Sequence, residues 1–152
     1  MQTNNFAIKA FDQKYRQQIL TIWEQSVLAT HDFLTPSDFN EIKEVVQTIN
    51  FYDFHVYCLI DDELVVGFLG VADKKIEMLF LTPGYFGKGL GKMLMNFAVN
   101  ELAADKVDVN EQNVKAVNFY QKLGFETYER TDKDDQGRDY PLLRMKLREA
   151  DA

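Results

Sequence analysis

The feature that most constrains the fold is residues 78–98, where an apolar run, a glycine-rich loop and an amphipathic pattern follow one another. Glycines stand at positions 84, 87, 89 and 91, and lysines at positions 88 and 92. A turn this rich in glycine lets several backbone N–H groups point into one concavity, and a helix that follows adds partial positive charge at its N-terminus. The stretch therefore predicts a strand, a phosphate-binding loop and a helix.

The chain before this loop changes from a helical to a strand period. Residues 6–11 predict a strand, and apolar residues at three- and four-residue spacing predict a helix that Asp12 caps and that ends near Ala29. Thr35 as N-cap, followed by Pro36, predicts the start of a second helix. Three strands with short polar turns then predict an antiparallel meander, at residues 55–60, 64–71 and 76–81.

The chain after the loop predicts a parallel crossover and a final hairpin. A helical face at residues 90–102 is followed by a short strand at 106–109, and the order strand, helix, strand favours parallel neighbours. Asn113 is expected to cap a further helix that Gly124 ends, before strands at 125–130 and 142–147 around a polar turn at 132–139. We expect one α/β (α+β) domain over residues 1–152, with a mixed, mostly antiparallel sheet of about seven strands and about four helices.

Composition and charge argue against a nucleic-acid-binding, membrane-bound, secreted or metal-binding protein. The net charge of −7 argues against binding to nucleic acid or to an anionic membrane. The first residues lack the pattern of a signal peptide, and no apolar run is long enough to span a membrane, so a cytoplasmic protein is expected. The single cysteine, Cys58, lies in an apolar run and is either a buried hydrophobic residue or a catalytic thiol. Nothing in the sequence suggests a metal site.

The loop does not fit the spacing of two well-known nucleotide-binding motifs. Gly84 and Gly89 have the separation of a P-loop, but Leu90 stands where that motif requires lysine. The dinucleotide motif requires a third glycine, and its position falls on Lys92 or Leu94 here. The strands before the loop also form a meander, which is not the start of a βαβ unit.

Two motifs in the chain resemble the signatures of the GCN5-related N-acetyltransferase (GNAT) superfamily. The loop FGKGLG at residues 86–91 resembles the pattern Arg/Gln-x-x-Gly-x-Gly/Ala, with Phe86 in place of the usual Arg or Gln. Residues 113–125 resemble the pattern Asn-x-x-Ala followed by Tyr-x-Lys-x-Gly-Phe. Residues 26–34, 109–113 and 140–143 look more narrowly like the small bacterial YjaB-type acetyltransferases.

The resemblance implies a sheet splayed in the middle, where acetyl-coenzyme A is held as cosubstrate without a metal. In the family the loop amides bind the pyrophosphate, and the pantetheine arm lies against the strand before the loop. Because the loop contacts are mostly made by the backbone, we expect binding despite Phe86. The resemblance assigns the cofactor to Leu79, Phe80, Leu81, Phe86, Gly87, Lys88, Gly89, Leu90, Gly91, Lys92, Asn113, Ala116 and Tyr120.

Tyr120 matches the family position beside the coenzyme sulfur and is the candidate general acid, although its spacing also fits a core aromatic residue. A tyrosine is protonated at neutral pH and can donate to a leaving thiolate. Two candidates for the general base stay open, Glu77 on the strand before the loop and His31 between the first two helices. A water chain is an alternative to both, and His55 is expected to be structural. Aromatic residues of the first two helices and their connection either line the acceptor pocket or belong to the core: Trp23, Phe33 and Phe39.

The resemblance implies an N-acetyltransferase that moves an acetyl group from acetyl-coenzyme A to an amine by direct attack. The acceptor, a small molecule or a protein, is not defined by the sequence, and either a monomer or a homodimer is expected. Transfer of a different acyl group is one alternative. A coenzyme A-binding or sensing module without turnover is the other, because Phe86 departs from the motif.

Overall fold

The computed structural model describes residues 6–149, and its elements follow the predicted order. Two short 3₁₀ turns, Gln13–Tyr15 and Pro83–Tyr85, were not predicted. Asp12 caps the first of these turns by accepting a hydrogen bond from the N–H of Lys14 at 3.0 Å, so the first helix begins one turn later than predicted. The elements are β1 Phe6–Ala10, α1 Arg16–Thr30, α2 Pro36–Val46, β2 His55–Asp61, β3 Leu64–Ala72, β4 Lys75–Leu81, α3 Leu90–Leu102, β5 Lys106–Asn110, α4 Val114–Lys122, β6 Phe125–Thr131 and β7 Leu142–Leu147.

All seven strands form one sheet in the order β1-β2-β3-β4-β5-β7-β6. Every neighbouring pair is antiparallel except β4 and β5, which are parallel because α3 carries the chain back between them. This confirms the predicted meander, crossover and final hairpin. It also confirms the mixed, mostly antiparallel sheet with four helices.

The sheet splays apart between β4 and β5. These strands pair only at their first residues, Lys75 with Lys106 and Ile76 with Val107. Their remaining residues diverge, so the facing backbone edges of both strands have no strand partner toward Leu81 and Asn110. A gap therefore opens through the middle of the sheet at the end where the glycine loop begins.

Helices cover both faces of the sheet. α1 and α2 pack on one face, around a core that includes Ile19, Phe51 and Phe68. α3 and α4 pack on the other, around a core that includes Leu94 and Met145. β3 is central because residues 65–71 are apolar or glycine and all are buried, whereas β6 lies at an edge and is mostly exposed.

Predicted caps fix the ends of two helices. Thr35 accepts a hydrogen bond from the N–H of Asp38 at 3.1 Å and begins α2. Asn113 accepts one from the N–H of Ala116 at 3.2 Å and begins α4. Gly124 follows α4 with a φ of +97°, the left-handed conformation that ends a helix.

The structure bears on three further expectations. Cys58 is fully buried, and burial raises the pKa of its thiol to about 12, so the thiol is protonated and packs as a small hydrophobic residue. Within residues 6–149, no group of histidine, cysteine, aspartate and glutamate side chains is arranged to hold a metal ion. None of the helices in that range has the length and apolarity needed to cross a membrane.

Candidate active site

A cleft of about 730 Å³ lies where β4 and β5 splay apart. Its walls are the end of α1, the second half of β4, the glycine loop with the start of α3, and one side of α4. It brings together every predicted cofactor residue except Lys88, which is exposed on the loop. The lining residues are Ser26, Thr30, His31, Leu79, Phe80, Leu81, Phe86, Gly87, Gly89, Leu90, Gly91, Lys92, Asn113, Lys115, Ala116, Phe119 and Tyr120.

The β4 wall offers backbone hydrogen-bonding groups to the cleft. The N–H of Thr82 donates to the carbonyl of Val66 on β3 at 2.8 Å, so the backbone of Thr82 points toward β3. Because backbone groups of successive strand residues point to opposite edges, Phe80 also points toward β3 while Leu79 and Leu81 point toward β5. Their N–H and carbonyl groups face the gap between the strands. The structure thus narrows the predicted backbone contacts to Leu79 and Leu81.

Two glycines in the loop are required by backbone conformation. Gly87 and Gly89 have φ of +76° and +77°, a region that side chains disfavour, and a Cβ atom at either would meet no neighbour within 4 Å. Gly89 is the N-cap of α3, so the left-handed residue turns the chain directly into the helix. Gly84 has neither a positive φ nor a close neighbour, so the loop does not require glycine there.

The backbone N–H groups of residues 87–92 donate no hydrogen bond to any residue of the described chain. The first N–H of this region with a backbone acceptor is that of Met93, which donates to the carbonyl of Gly89 at 3.1 Å. Unpaired donors at a helix N-terminus favour an anion, and Lys92 adds a positive charge at the same wall. The loop and the start of α3 therefore form an anion-binding end of the cleft.

Phe86 presents an aromatic side chain at the position where the family motif carries Arg or Gln. The ring lines the cleft and 40% of the residue is exposed, while its N–H is used in the 3₁₀ turn, donating to Pro83 O at 3.1 Å. The substitution of Phe for Arg or Gln at this position leaves the unpaired N–H groups of residues 87–92 in place. The polar side chain that the motif residue would contribute, charged in the case of arginine, is missing.

Tyr120 projects from α4 into a buried aromatic group. Its ring lies against Phe119 and Phe125, with ring centroids 5.1 Å and 5.8 Å away. Burial raises the pKa of Tyr120 above its usual value, so the hydroxyl is protonated at neutral pH. Gly91 lets α3 approach this group, because a Cβ there would lie 3.2 Å from Phe119. Tyr120 therefore contributes a neutral proton donor to the cleft.

His31 lines the opposite wall, at the C-terminal end of α1. Its Nδ1 atom lies 2.7 Å from Thr30 Oγ1, and that hydroxyl lies 2.7 Å from the carbonyl oxygen of Ser26. Burial lowers the pKa of His31, with Asp32 acting in the opposite direction. Sequence reasoning did not assign Ser26 and Thr30 to the site. Both recur at the helical spacing of the apolar residues of α1, and nothing in that pattern signals a hydrogen-bond chain to the next residue.

The segment that carries His31 is held by the β6–β7 connection. The hydroxyl of Tyr140 donates to Asp38 and accepts from the N–H of Thr35 at 3.2 Å. This hydrogen bond from Tyr140 holds the pKa of Asp38 below its usual range. The Phe33 ring lies between those of His31 and Tyr140, with centroids 5.3 Å and 5.9 Å away.

The other two aromatic candidates for the acceptor pocket lie in the core below this segment. Trp23 stacks on Phe39 with a centroid distance of 5.6 Å and is 4% exposed. Trp23 therefore packs as a core residue, whereas the ring of Phe33 contacts His31, which lines the cleft.

Glu77 lies outside the cleft that His31 and Tyr120 share. Pairing of Met78 with Gly70 and of Ile76 with Val71 leaves Glu77 as the extra residue of a β-bulge. Its side chain is exposed and borders a smaller hollow of about 380 Å³, whose other lining residues are Ile49, Phe54, Ala72 and Met78. The structure thus separates the two candidate bases, and each remains a prediction.

Known proteins are similar to this chain in fold and in sequence. The family model described as "Acetyltransferase (GNAT) domain" matches residues 12–148. The peptidyl-lysine N-acetyltransferase YjaB of Salmonella typhimurium is 36% identical over 129 residues, covering 85% of this chain and 89% of its own. The solution structure of apo-form YjaB from Escherichia coli superposes with a TM-score of 0.87 at 31% identity, covering 96% of this chain and 99% of that one. In fold alone, the chain also resembles the PaiA N-acetyltransferase of Thermoplasma acidophilum in complex with coenzyme A, with a TM-score of 0.75 at 18% identity and coverage of 95% and 99%.

A sheet split between parallel strands, with a glycine loop leading into a helix at the split, therefore defines a class of acyl-transferring enzyme. The chain belongs to the GNAT family of acetyltransferases. Within that family it is an acetyl-coenzyme A-dependent N-acetyltransferase, as the sequence predicted.

Proposed function

We propose that the protein transfers the acetyl group of acetyl-coenzyme A to the side-chain amine of lysine in a protein or peptide. The observation that carries this proposal is the cleft, which has unpaired backbone donors at one end and a protonated tyrosine on the wall opposite His31. The choice of lysine is supported by the relatives named above, which are peptidyl-lysine N-acetyltransferases.

The pyrophosphate of the cofactor binds to the N–H groups of residues 87–92 in this proposal. Lys92 neutralises part of its charge, and Lys88 adds a second, exposed positive charge beside the loop. The pantetheine arm then follows β4, where it takes the place of the missing strand partner and hydrogen-bonds to the backbones of Leu79 and Leu81. Asn113 and Ala116 line the facing wall on α4, and the thioester comes to rest beside Tyr120.

The chemistry requires a neutral amine, stabilisation of the oxyanion and a proton for the leaving thiolate. A backbone N–H of β4 that faces the gap is positioned to polarise the thioester carbonyl. The Tyr120 hydroxyl supplies the proton for the thiolate. Burial raises the pKa of this hydroxyl, so it still carries its proton at neutral pH when the thiolate develops beside it.

Two peptides separate lysine transfer from transfer to other amines. The first has one lysine and a blocked N-terminus, and the second has a free N-terminus and no lysine. With acetyl-coenzyme A and enzyme, we expect thiol release and an added acetyl group with the first peptide only. Acetylation of the second alone, or thiol release only with small polyamines, would contradict the lysine proposal.

A melting experiment tests the alternative of a binding module without turnover. Acetyl-coenzyme A at a hundredfold excess over its dissociation constant is expected to stabilise the fold by about 2.7 kcal/mol. Stabilisation without thiol release across a panel of amine acceptors would favour a sensor. A larger stabilisation by another acyl-coenzyme A, with turnover, would favour a different donor. Cytoplasmic location and a monomeric or homodimeric state remain part of the proposal.

A further inference from the structure

We propose that His31 is the general base of the acetyl transfer and that the hydroxyl of Thr30 fixes the tautomer required for this role. The inference rests on the proposed function and assigns the step that it leaves open. His31 lines the same cleft as Tyr120, from the opposite wall, so base and acid can lie on the two sides of one thioester. Glu77 borders a different hollow.

The hydrogen bonds of Thr30 determine which ring nitrogen carries the proton. The carbonyl of Ser26 can only accept, so its 2.7 Å separation from Thr30 Oγ1 places the hydroxyl hydrogen between those two oxygens. With its only hydrogen used, Oγ1 can only accept at its 2.7 Å contact with His31 Nδ1. The proton therefore resides on Nδ1, and Nε2 carries the lone pair.

The lone pair on Nε2 is available to a substrate. Nε2 has no hydrogen-bond partner in the described part of the chain, and it is not one of the polar atoms sealed from solvent there. The backbone of His31 is held by its N–H, which donates to the carbonyl of Val27 at 2.8 Å, and its ring is held by the contacts with Thr30 Oγ1 and Phe33. An oriented, unpaired imidazole nitrogen in a substrate cleft is the arrangement that a general base requires.

Burial favours the neutral form of the His31 ring. Burial lowers its pKa from 6.5, and Asp32 on the same segment opposes this only in part. Two exposed lysines and the neutral Tyr120 line the same cleft. Behind Phe33, the Asp38 carboxylate is bonded to the Tyr140 hydroxyl. The two cleft lysines are Lys92 and Lys115.

His31 and Tyr120 together account for every proton that moves in the reaction. His31 Nε2 takes one proton from the lysine ammonium, and the neutral amine attacks the thioester carbon. The carbon–nitrogen bond forms, the carbon–sulfur bond breaks, and the thiolate takes the proton of Tyr120. The new amide nitrogen releases its second proton, which restores the Tyr120 hydroxyl. The imidazolium then returns its proton to water, so that one proton leaves for each acetyl group transferred.

The pH dependence of kcat/KM with the blocked lysine peptide tests the proposal. Because the base must be unprotonated, kcat/KM should rise with pH through an apparent pKa below 6.5 and then level off. The lysine itself titrates far above this range, near 10.4. His31→Gln should lower kcat/KM about a hundredfold or more and remove this acid limb.

Matched variants separate a catalytic from a structural role. His55→Gln changes the only other histidine, which is exposed at the start of β2, and should keep both the rate and the acid limb. Thr30→Val removes the hydroxyl and should reduce kcat, whereas Thr30→Ser retains the hydroxyl and should restore it. Added imidazole should raise the rate of His31→Ala and leave the parent unchanged. Full activity with an unchanged acid limb in His31→Gln would overturn the proposal.

Nitrogen NMR of the parent protein gives a test that depends on no variant. The expected spectrum shows a neutral His31 ring with the proton on Nδ1 at pH 7, and a proton on Nε2 would contradict the inference. Failure here can be told apart from failure of the proposed function. If the parent acetylates the lysine peptide but the tautomer is the other one, only the role of His31 is lost. If no amine is acetylated, the proposed function fails first.

Discussion

The hydroxyl of Tyr120 has a chemical role in this account and no structural one. It donates to no described residue, while its ring packs against Phe119 and Phe125. Tyr120→Phe should therefore keep the melting temperature and lower kcat about a hundredfold or more, since a positioned acid contributes at least that much. Activity assays and melting curves of the same samples check this. An unchanged kcat would remove Tyr120 from the mechanism.

Gly89 is the residue at which conformation and binding are most tightly linked. Alanine at its φ of +77° is expected to cost about 1–2 kcal/mol and to move the N–H groups that follow. Gly89→Ala should thus lower the free energy of unfolding and raise the dissociation constant for acetyl-coenzyme A. Gly84→Ala is the matched control, because Gly84 has open space and no positive φ. Equal effects of both substitutions would contradict the account of the loop.

Some residues of the site could be predicted from the sequence, and others could not. The glycine spacing identified the loop, and the two motifs placed its residues, Asn113 and Tyr120 in one site. The tautomer of His31 could not be predicted, because it depends on where the Thr30 hydroxyl points after α1 has formed. The position of Glu77 could not be predicted either. A β-bulge gives no periodic signal in the sequence that distinguishes its extra residue from an ordinary strand residue.

At the scale of the element, capping links the stability of α4 to cofactor binding. Asn113 and Thr35 each cap a helix through one side-chain hydrogen bond, but only Asn113 lines the cleft. Asn113→Ala and Thr35→Ala should each cost about 0.5–2 kcal/mol of stability. Only Asn113→Ala should also weaken acetyl-coenzyme A binding, by up to roughly tenfold for one lost hydrogen bond. Calorimetric titration of both variants below their melting temperatures checks this. Equal affinities would show that Asn113 acts only as a cap.

The elements themselves were largely predictable because local rules determine them. The three-strand meander follows from apolar runs separated by short polar turns, and the caps of α2 and α4 follow from residue type. The unpredicted features are those set by distant parts of the chain. The hydrogen bond from Tyr140 to Asp38 joins residues 102 positions apart, and no local pattern records it.

At the scale of the whole molecule, the sheet consists of two parts joined at a narrow junction. β1–β4 and β5–β7 meet only at the first residues of β4 and β5, and the partly buried Asp108 reinforces that junction. Its carboxylate binds Lys75 of β4 at 2.5 Å and Arg144 of β7 at 2.7 Å. The cleft depends on this arrangement, because the strands must be joined at one end in order to diverge at the other.

Asp108→Asn should therefore lower the stability of the whole fold by about 1.5–3 kcal/mol, as expected for partly buried hydrogen bonds to charged groups. Asp139→Asn removes an ion pair with Lys133 in which both side chains are well exposed, so its effect should stay within about 1 kcal/mol. Urea unfolding of both variants measures the difference. A loss for Asp108→Asn no larger than that for Asp139→Asn would mean that the junction is held by backbone pairing and packing alone.

The central claim is that acetyl-coenzyme A binds in the gap between β4 and β5, with its pyrophosphate on the unpaired N–H groups at the start of α3. Amide NMR of the protein during titration with acetyl-coenzyme A tests this most directly. The account predicts the largest shifts at residues 87–92, with further shifts at Leu79 and Leu81 and little change in β1 or β6. Shifts centred on the hollow beside Glu77, or unchanged amides at residues 87–92 in the saturated complex, would contradict it.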